Sequence, residues 1–329
     1  MTLYFSAADF WPRSRGQRAM TSIGGAFLLV VASVFPVAAD GPTTYADWGH
    51  PQLVASDESV SPEARVNTGA HDGCPIESPN GKQLYVASTR DGGFGRNDIW
   101  VAERANKHEP WGPMQNLGAA INTPDHEFCP TPLGGGWLLF VSDRLACGAT
   151  PGMVPPVGDM YLTRQHPDGT WTVPQHLGCV ADGSGPNFTG GEFGPSLITT
   201  RGETYLYFSS TGVSGNHDIY RSRMNRDGRF ETPQAVLELN SGAVDQMPNV
   251  SADGTEIVFA SSRVGGNMDI FTASFDRSTG LWSTPVPVSA VNTSAPETRP
   301  SFSGDGTRLY FGRGAIADIY VSTRAEIGH

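Results

Sequence analysis

An all-β fold, a five-bladed β-propeller of four-stranded antiparallel blades, is predicted by three observations. One unit recurs five times, each copy carries the signals of several short strands, and the strand missing from the last copy stands ahead of the first. The copies align on Pro75, Pro130, Pro195, Pro248 and Pro300, at spacings of 55, 65, 53 and 52 residues. Insertions in and after the second copy explain the long interval. Units of this length cannot bury their own faces and do so by stacking on neighbours. Gly 40, Pro 25 and a hydrophobic content of 38% suit a turn-rich β protein, and a charged fraction of 17% is too low for a disordered one.

Taken in chain order, residues 1–39 read as an export leader. Arg13, Arg15 and Arg18 precede the apolar run "IGGAFLLVVASVFPVAA", which ends in small residues around Ala39. Cleavage is expected after Ala39; the run of 17 residues with Pro36 is short for a membrane span. Its loss moves the formal charge from −11 to −13, which argues against nucleic acid or anionic lipid as partner. The expected compartment is periplasmic or secreted, where four cysteines suit two disulfides.

Residues 40–329 read as one domain. Each copy holds a first strand, a turn such as "NG" or "DG", a β-branched and aromatic strand such as "IVFAS", a Gly-rich loop and a strand opening "DIF" or "DIY". The fourth strands are expected in "WGPMQNLGAAIN", "WTVPQHLG", "FETPQAVLELN" and "WSTPVPVSAVN". The last copy stops at "DIYVSTR". The segment "WGHPQLVAS", residues 48–56, fits the missing strand and would close the ring, removing an exposed edge.

These residues resemble the TolB-type, WD40-like propeller repeat: an acid, Pro, Ser, a "DG" turn, "LYF", Ser, Arg and "DIY". The resemblance covers nearly all of the chain after the leader. It implies the fold and little about function, because propellers host scaffolds, receptors and enzymes alike. TolB carries an additional N-terminal domain for which this chain has no room, so no partner is carried over.

An acid stands three residues before each shared proline: Asp72, Glu127, Glu192, Asp245 and Glu297. The resemblance places them at the start of the innermost strands, round one mouth of the channel. Arg90, Arg144 and Arg263 begin the facing loop, whereas Gly212 and Ala315 replace Arg in the third and fifth copies. The acids either weld blade to blade or, being in surplus, form a ligand-binding funnel of oxygen donors. Such donors suit calcium, and mutual repulsion would raise carboxylate pKa values. The aspartates Asp98, Asp159, Asp218, Asp269 and Asp318 are expected to cap the loops before their strands.

Only the first two copies carry His-acid-x-Cys-Pro, at His71, Cys74, His126 and Cys129, a set that could ligate a soft metal. Disulfides compete with it: Cys74 with Cys129 and Cys147 with Cys179 are favoured, Cys129 with Cys147 being the rival pairing. Asn187 and Asn292 match the short glycosylation pattern. No nucleophile elbow, phosphate loop or dinucleotide fingerprint occurs. The expected function is therefore a non-enzymatic, monomeric scaffold that binds an envelope or secreted protein, a glycan or a small ligand over the channel face. The competing expectation is a glycan hydrolase using Asp72, Glu127 and Glu192.

Overall fold

A computed structural model describes residues 43–144, 147–148, 158–212 and 215–328; the leader lies outside them. Five antiparallel sheets surround one axis. The innermost strands are Asp72–Glu77, Glu127–Pro132, Glu192–Thr200, Asp245–Val250 and Glu297–Phe302. Next come Gln83–Ser88, Trp137–Ser142, Glu203–Ser210, Glu256–Ser261 and Arg308–Arg313, then strands opening at Asp98, Asp159, Asp218, Asp269 and Asp318. The outermost strands are two residues long. Short edges of this kind give little template for pairing with another chain.

Ring closure follows the sequence expectation. Gln52–Leu53 pairs with Asp318–Thr323 and completes the fifth blade. A second clasp was not foreseen: Thr44–Tyr45 pairs with Glu326–Gly328. Arg324 fastens it, its guanidinium 3.9 Å from the Tyr45 ring and 4.2 Å from the Trp48 ring, with Nη2 2.7 Å from Glu256 Oε2. No helix of the described residues is long and apolar enough to cross a membrane.

The blades stack through the repeated apolar positions. Phe140, Phe208, Phe259 and Phe311 are fully buried at one register position. Each pairs with the aromatic of the next strand, Tyr161, Tyr220, Phe271 or Tyr320, at ring distances of 6.0 to 6.2 Å. Burying one such side chain contributes roughly 1.5–3 kcal/mol.

Every innermost strand bulges two residues after its acid. Cys74, Cys129, Gly194, Met247 and Arg299 have φ between 46° and 58°, and the pairing register slips at each. The proline that follows has no N–H to give to a ladder, so it sits without loss at a bulge. The bulges bring these five residues and the five prolines to the axis, where they narrow the channel to a cavity of about 30 Å³. Towards the other mouth it widens to about 250 Å³ between Ile76, Leu133, Ile198, Val250 and Phe302.

Candidate functional site

The five repeat acids share one environment. All are fully buried, at 0% exposure, and each is held where its blade meets the preceding one. Asp72 illustrates the lock. Its Oδ2 accepts the Thr68 N–H and hydroxyl, both at 2.8 Å; its Oδ1 accepts the Ser88 hydroxyl at 2.5 Å and Arg90 Nη2 at 2.7 Å. Arg90 also donates to the Val66 carbonyl at 2.9 Å. Glu127 with Arg144 and Asp245 with Arg263 repeat the arrangement, at 3.2 and 2.5 Å.

Glu297 is also paired, which corrects the expectation of three arginines for five acids. Arg313, two residues ahead of the aligned Ala315, donates from Nε to Oε1 at 2.8 Å and from Nη2 to the Val291 carbonyl at 2.7 Å. It stands at the register position that Ser occupies in the other blades. These acids therefore do not line a funnel. Their hydrogen-bonded oxygens face donors of their own blade and of the linker that precedes it, so each acid is held within its own interblade junction.

Sequence reasoning missed a companion residue. An asparagine stands five positions before each acid: Asn67, Asn122, Asn187, Asn240 and Asn292. Its Oδ1 accepts the N–H of Ile319, Ile99, Met160, Ile219 or Ile270, in the third strand of the preceding blade. The "N-T/S-x-x-x-D/E" pattern of four copies, with Phe188 in place of Thr or Ser in the third, was the available signal. Asn187 and Asn292, which match the glycosylation pattern, are thus interblade clamps, and Asn187 is fully buried.

Glu192 is the exception. It accepts the Phe188 N–H at 3.0 Å and the Ser210 hydroxyl at 2.9 Å, but no arginine reaches it among the described residues. Phe188 replaces the Thr or Ser of the other copies and lies over Tyr220, with ring centroids 4.8 Å apart. That is where Arg144, Arg263 and Arg313 sit over the aromatic pairs of their own blades. Burial first, and the negative charge of Asp159 second, push Glu192 well above the usual carboxylate range. The rise comes from burial and from Asp159, not from the mutual repulsion of the repeat acids expected from sequence. Glu192 Oε2 and Asp159 Oδ1 have no donor among the described residues, and a proton on Glu192 would let the one donate to the other.

Asp159 connects this pair to the inserted loops. Its Oδ2 accepts the Cys147 N–H at 2.7 Å and lies 2.5 Å from His176 Nε2. Because the Gly178 N–H donates to His176 Nδ1, the imidazole proton sits on Nε2 and points to Asp159. Cys147 and Cys179 form one disulfide, Cys74 and Cys129 the other, as favoured from sequence. The second bond takes both thiolates from the His71, Cys74, His126 and Cys129 metal set. Asp98 accepts the Phe94 and Gly95 N–H groups, capping its loop as expected.

No protein-family model matches the chain, and no curated protein matches it. Solved structures similar in fold include an α-L-arabinofuranosidase from Lactobacillus brevis, 13% identical over 82% of this chain and 94% of that one, TM-score 0.53. Another is an α-L-arabinofuranosidase from Podospora anserina, 13% identical over 87% of this chain and 98% of that one, TM-score 0.52. TolB from Acinetobacter baumannii is 15% identical over 85% of this chain and 65% of that one, TM-score 0.45. At these identities the likeness is one of fold alone.

Proposed function

We propose that this protein is an exported, non-enzymatic propeller that binds a protein, glycan or small ligand over the channel face bearing the loops between second and third strands. One observation carries the reading: all five repeat carboxylates are buried in interblade locks, which leaves none of them free on the axis for acid–base work. The same face offers contact surface instead. Phe94, Val264 and Ile316 project from these loops on three consecutive blades at 50%, 58% and 44% exposure. The Cys147–Cys179 disulfide staples the loops of the second blade beside them. Exposed apolar groups grouped on one face of a soluble ring mark an interaction surface.

Glycan hydrolysis is the second reading, favoured by the proton that Glu192 holds beside Asp159, since a general acid needs a raised pKa. One experiment separates the two. The purified protein, E192Q and the triple variant F94S/V264S/I316S are offered an envelope extract, soluble glycans and chromogenic α-L-arabinofuranosides. Binding predicts no turnover by any of them, and a captured ligand that E192Q keeps and the triple variant loses at least tenfold. Turnover abolished in a folded E192Q would overturn it in favour of hydrolysis.

A further inference from the structure

The arginine at the axis stands apart from those of the locks. Arg90, Arg104, Arg144, Arg263, Arg308, Arg313 and Arg324 each meet a carboxylate. Arg299, at the bulge of the fifth blade, has none among the described residues, in a chain whose net charge is −11. Its Nη1 is closed to solvent and lacks any hydrogen-bond partner. Asp72, the chain neighbour of the Gly73 on which the guanidinium lies, is already committed to Ser88, Thr68 and Arg90. Burial lowers the Arg299 pKa to about 10, so the side chain stays charged at neutral pH.

A guanidinium with one nitrogen closed to solvent and unpaired is costly, and the corresponding positions in the other blades are Cys74, Cys129, Gly194 and Met247, all neutral. The surroundings make room for this one. The guanidinium lies on Gly73, where a Cβ would stand 2.1 Å from Nη1. Burial first, then Arg299, lower the pKa of the neighbouring His71, so no second cation competes at neutral pH. The axial cavity of about 30 Å³ takes one or two atoms of water size, which excludes a sugar or a phosphate ester.

We propose that Arg299 is the receptor for one small monovalent anion, a halide or a terminal carboxylate group, on the propeller axis. A charge-assisted contact of this kind would satisfy the partnerless donor. The inference does not depend on what docks over the loops, so its failure would leave the binding reading untouched.

The test measures melting of the purified protein at constant ionic strength while chloride, bromide, formate or acetate replaces a bulky anion. The wild type should gain about 5 °C at a hundredfold excess over Kd, saturating with concentration. R299Q and R299M should show no such gain and, without small anions, melt at or above the wild type. Chloride-35 line broadening by the wild type offers a check that needs no variant, and bromide or formate should relieve it. Relief by acetate as well would identify a reader of carboxylate groups; relief by halides and formate alone, a site for a free ion. A flat melting response with no line broadening, or an undiminished response in R299Q, would overturn the proposal.

Discussion

The interface before the third blade and the interface before the first do the same structural task with opposite chemistry. Before the first blade, Arg90 neutralises Asp72 and is itself spent on two backbone carbonyls, so a charged pair closes the junction. Before the third, Gly212 and Phe188 stand where the arginine and the threonine would be. Burial and Asp159 raise the Glu192 pKa, so that a proton can take the place of the guanidinium, and the vacated space above Tyr220 is filled by an aromatic ring. The difference shows that the repeat requires a satisfied carboxyl group at this position and not any one partner. A proton and a phenyl ring replace a guanidinium, provided both changes occur together.

Removing the guanidinium alone should have the largest effect. In R90M, Asp72 stays buried with its ionic partner gone, and breaking such a pair costs about 3–5 kcal/mol. Denaturant unfolding should show that loss, and a change under 1 kcal/mol would mean that Ser88 and Thr68 satisfy the acid unaided.

The converse experiment, restoring an arginine at the third blade, should fail when made singly. A Cβ on Gly212 would stand 2.4 Å from the Tyr220 hydroxyl at a φ of 43°, and Phe188 covers the ring on which the guanidinium must lie. G212R is therefore expected to cost about 2–3 kcal/mol. In the double variant F188T/G212R the two changes should be coupled favourably by about 1 kcal/mol or more, read from a double-mutant cycle. Strict additivity would show that the two replacements are unrelated.

What could be read from the sequence divides along the same line. The five-bladed ring and its closing strand were legible because they rest on periodicity: the prolines, the "DG" turns and the Asp-Ile-aromatic strands each recur. The pairing of Cys147 with Cys179 followed from the two loops of the second blade that carry them. Arg313 was missed because it reaches Glu297 from a position two residues off the repeat, and alignment compares columns while a guanidinium compares distances. The asparagine clamps were overlooked because they lie between strands, where a polar residue passes for a turn former. The exchange of Arg for a proton at Glu192 depends on Asp159 of another blade, a contact made only when the ring closes.

The smallest effect, and the most specific to the third blade, concerns pH. The pKa of Glu192 is raised in the folded state, so the native protein holds a proton that the unfolded chain releases above the ordinary glutamate range. Stability from this group is complete below that range and declines as pH rises towards the folded pKa, by up to about 1.4 kcal/mol per unit. In E192Q the amide oxygen can accept from Phe188 and Ser210 while its N–H₂ donates to Asp159, reproducing the protonated acid without a titration. The stability of E192Q relative to the wild type should therefore be near zero at pH 4 and grow as pH increases. The same comparison for D72N should have the opposite sign at neutral pH, because the amide gives Arg90 no ionic partner. A pH-independent difference for E192Q would mean that Glu192 does not titrate between its unfolded and folded states in this range, and that the raised pKa is not what distinguishes the third blade.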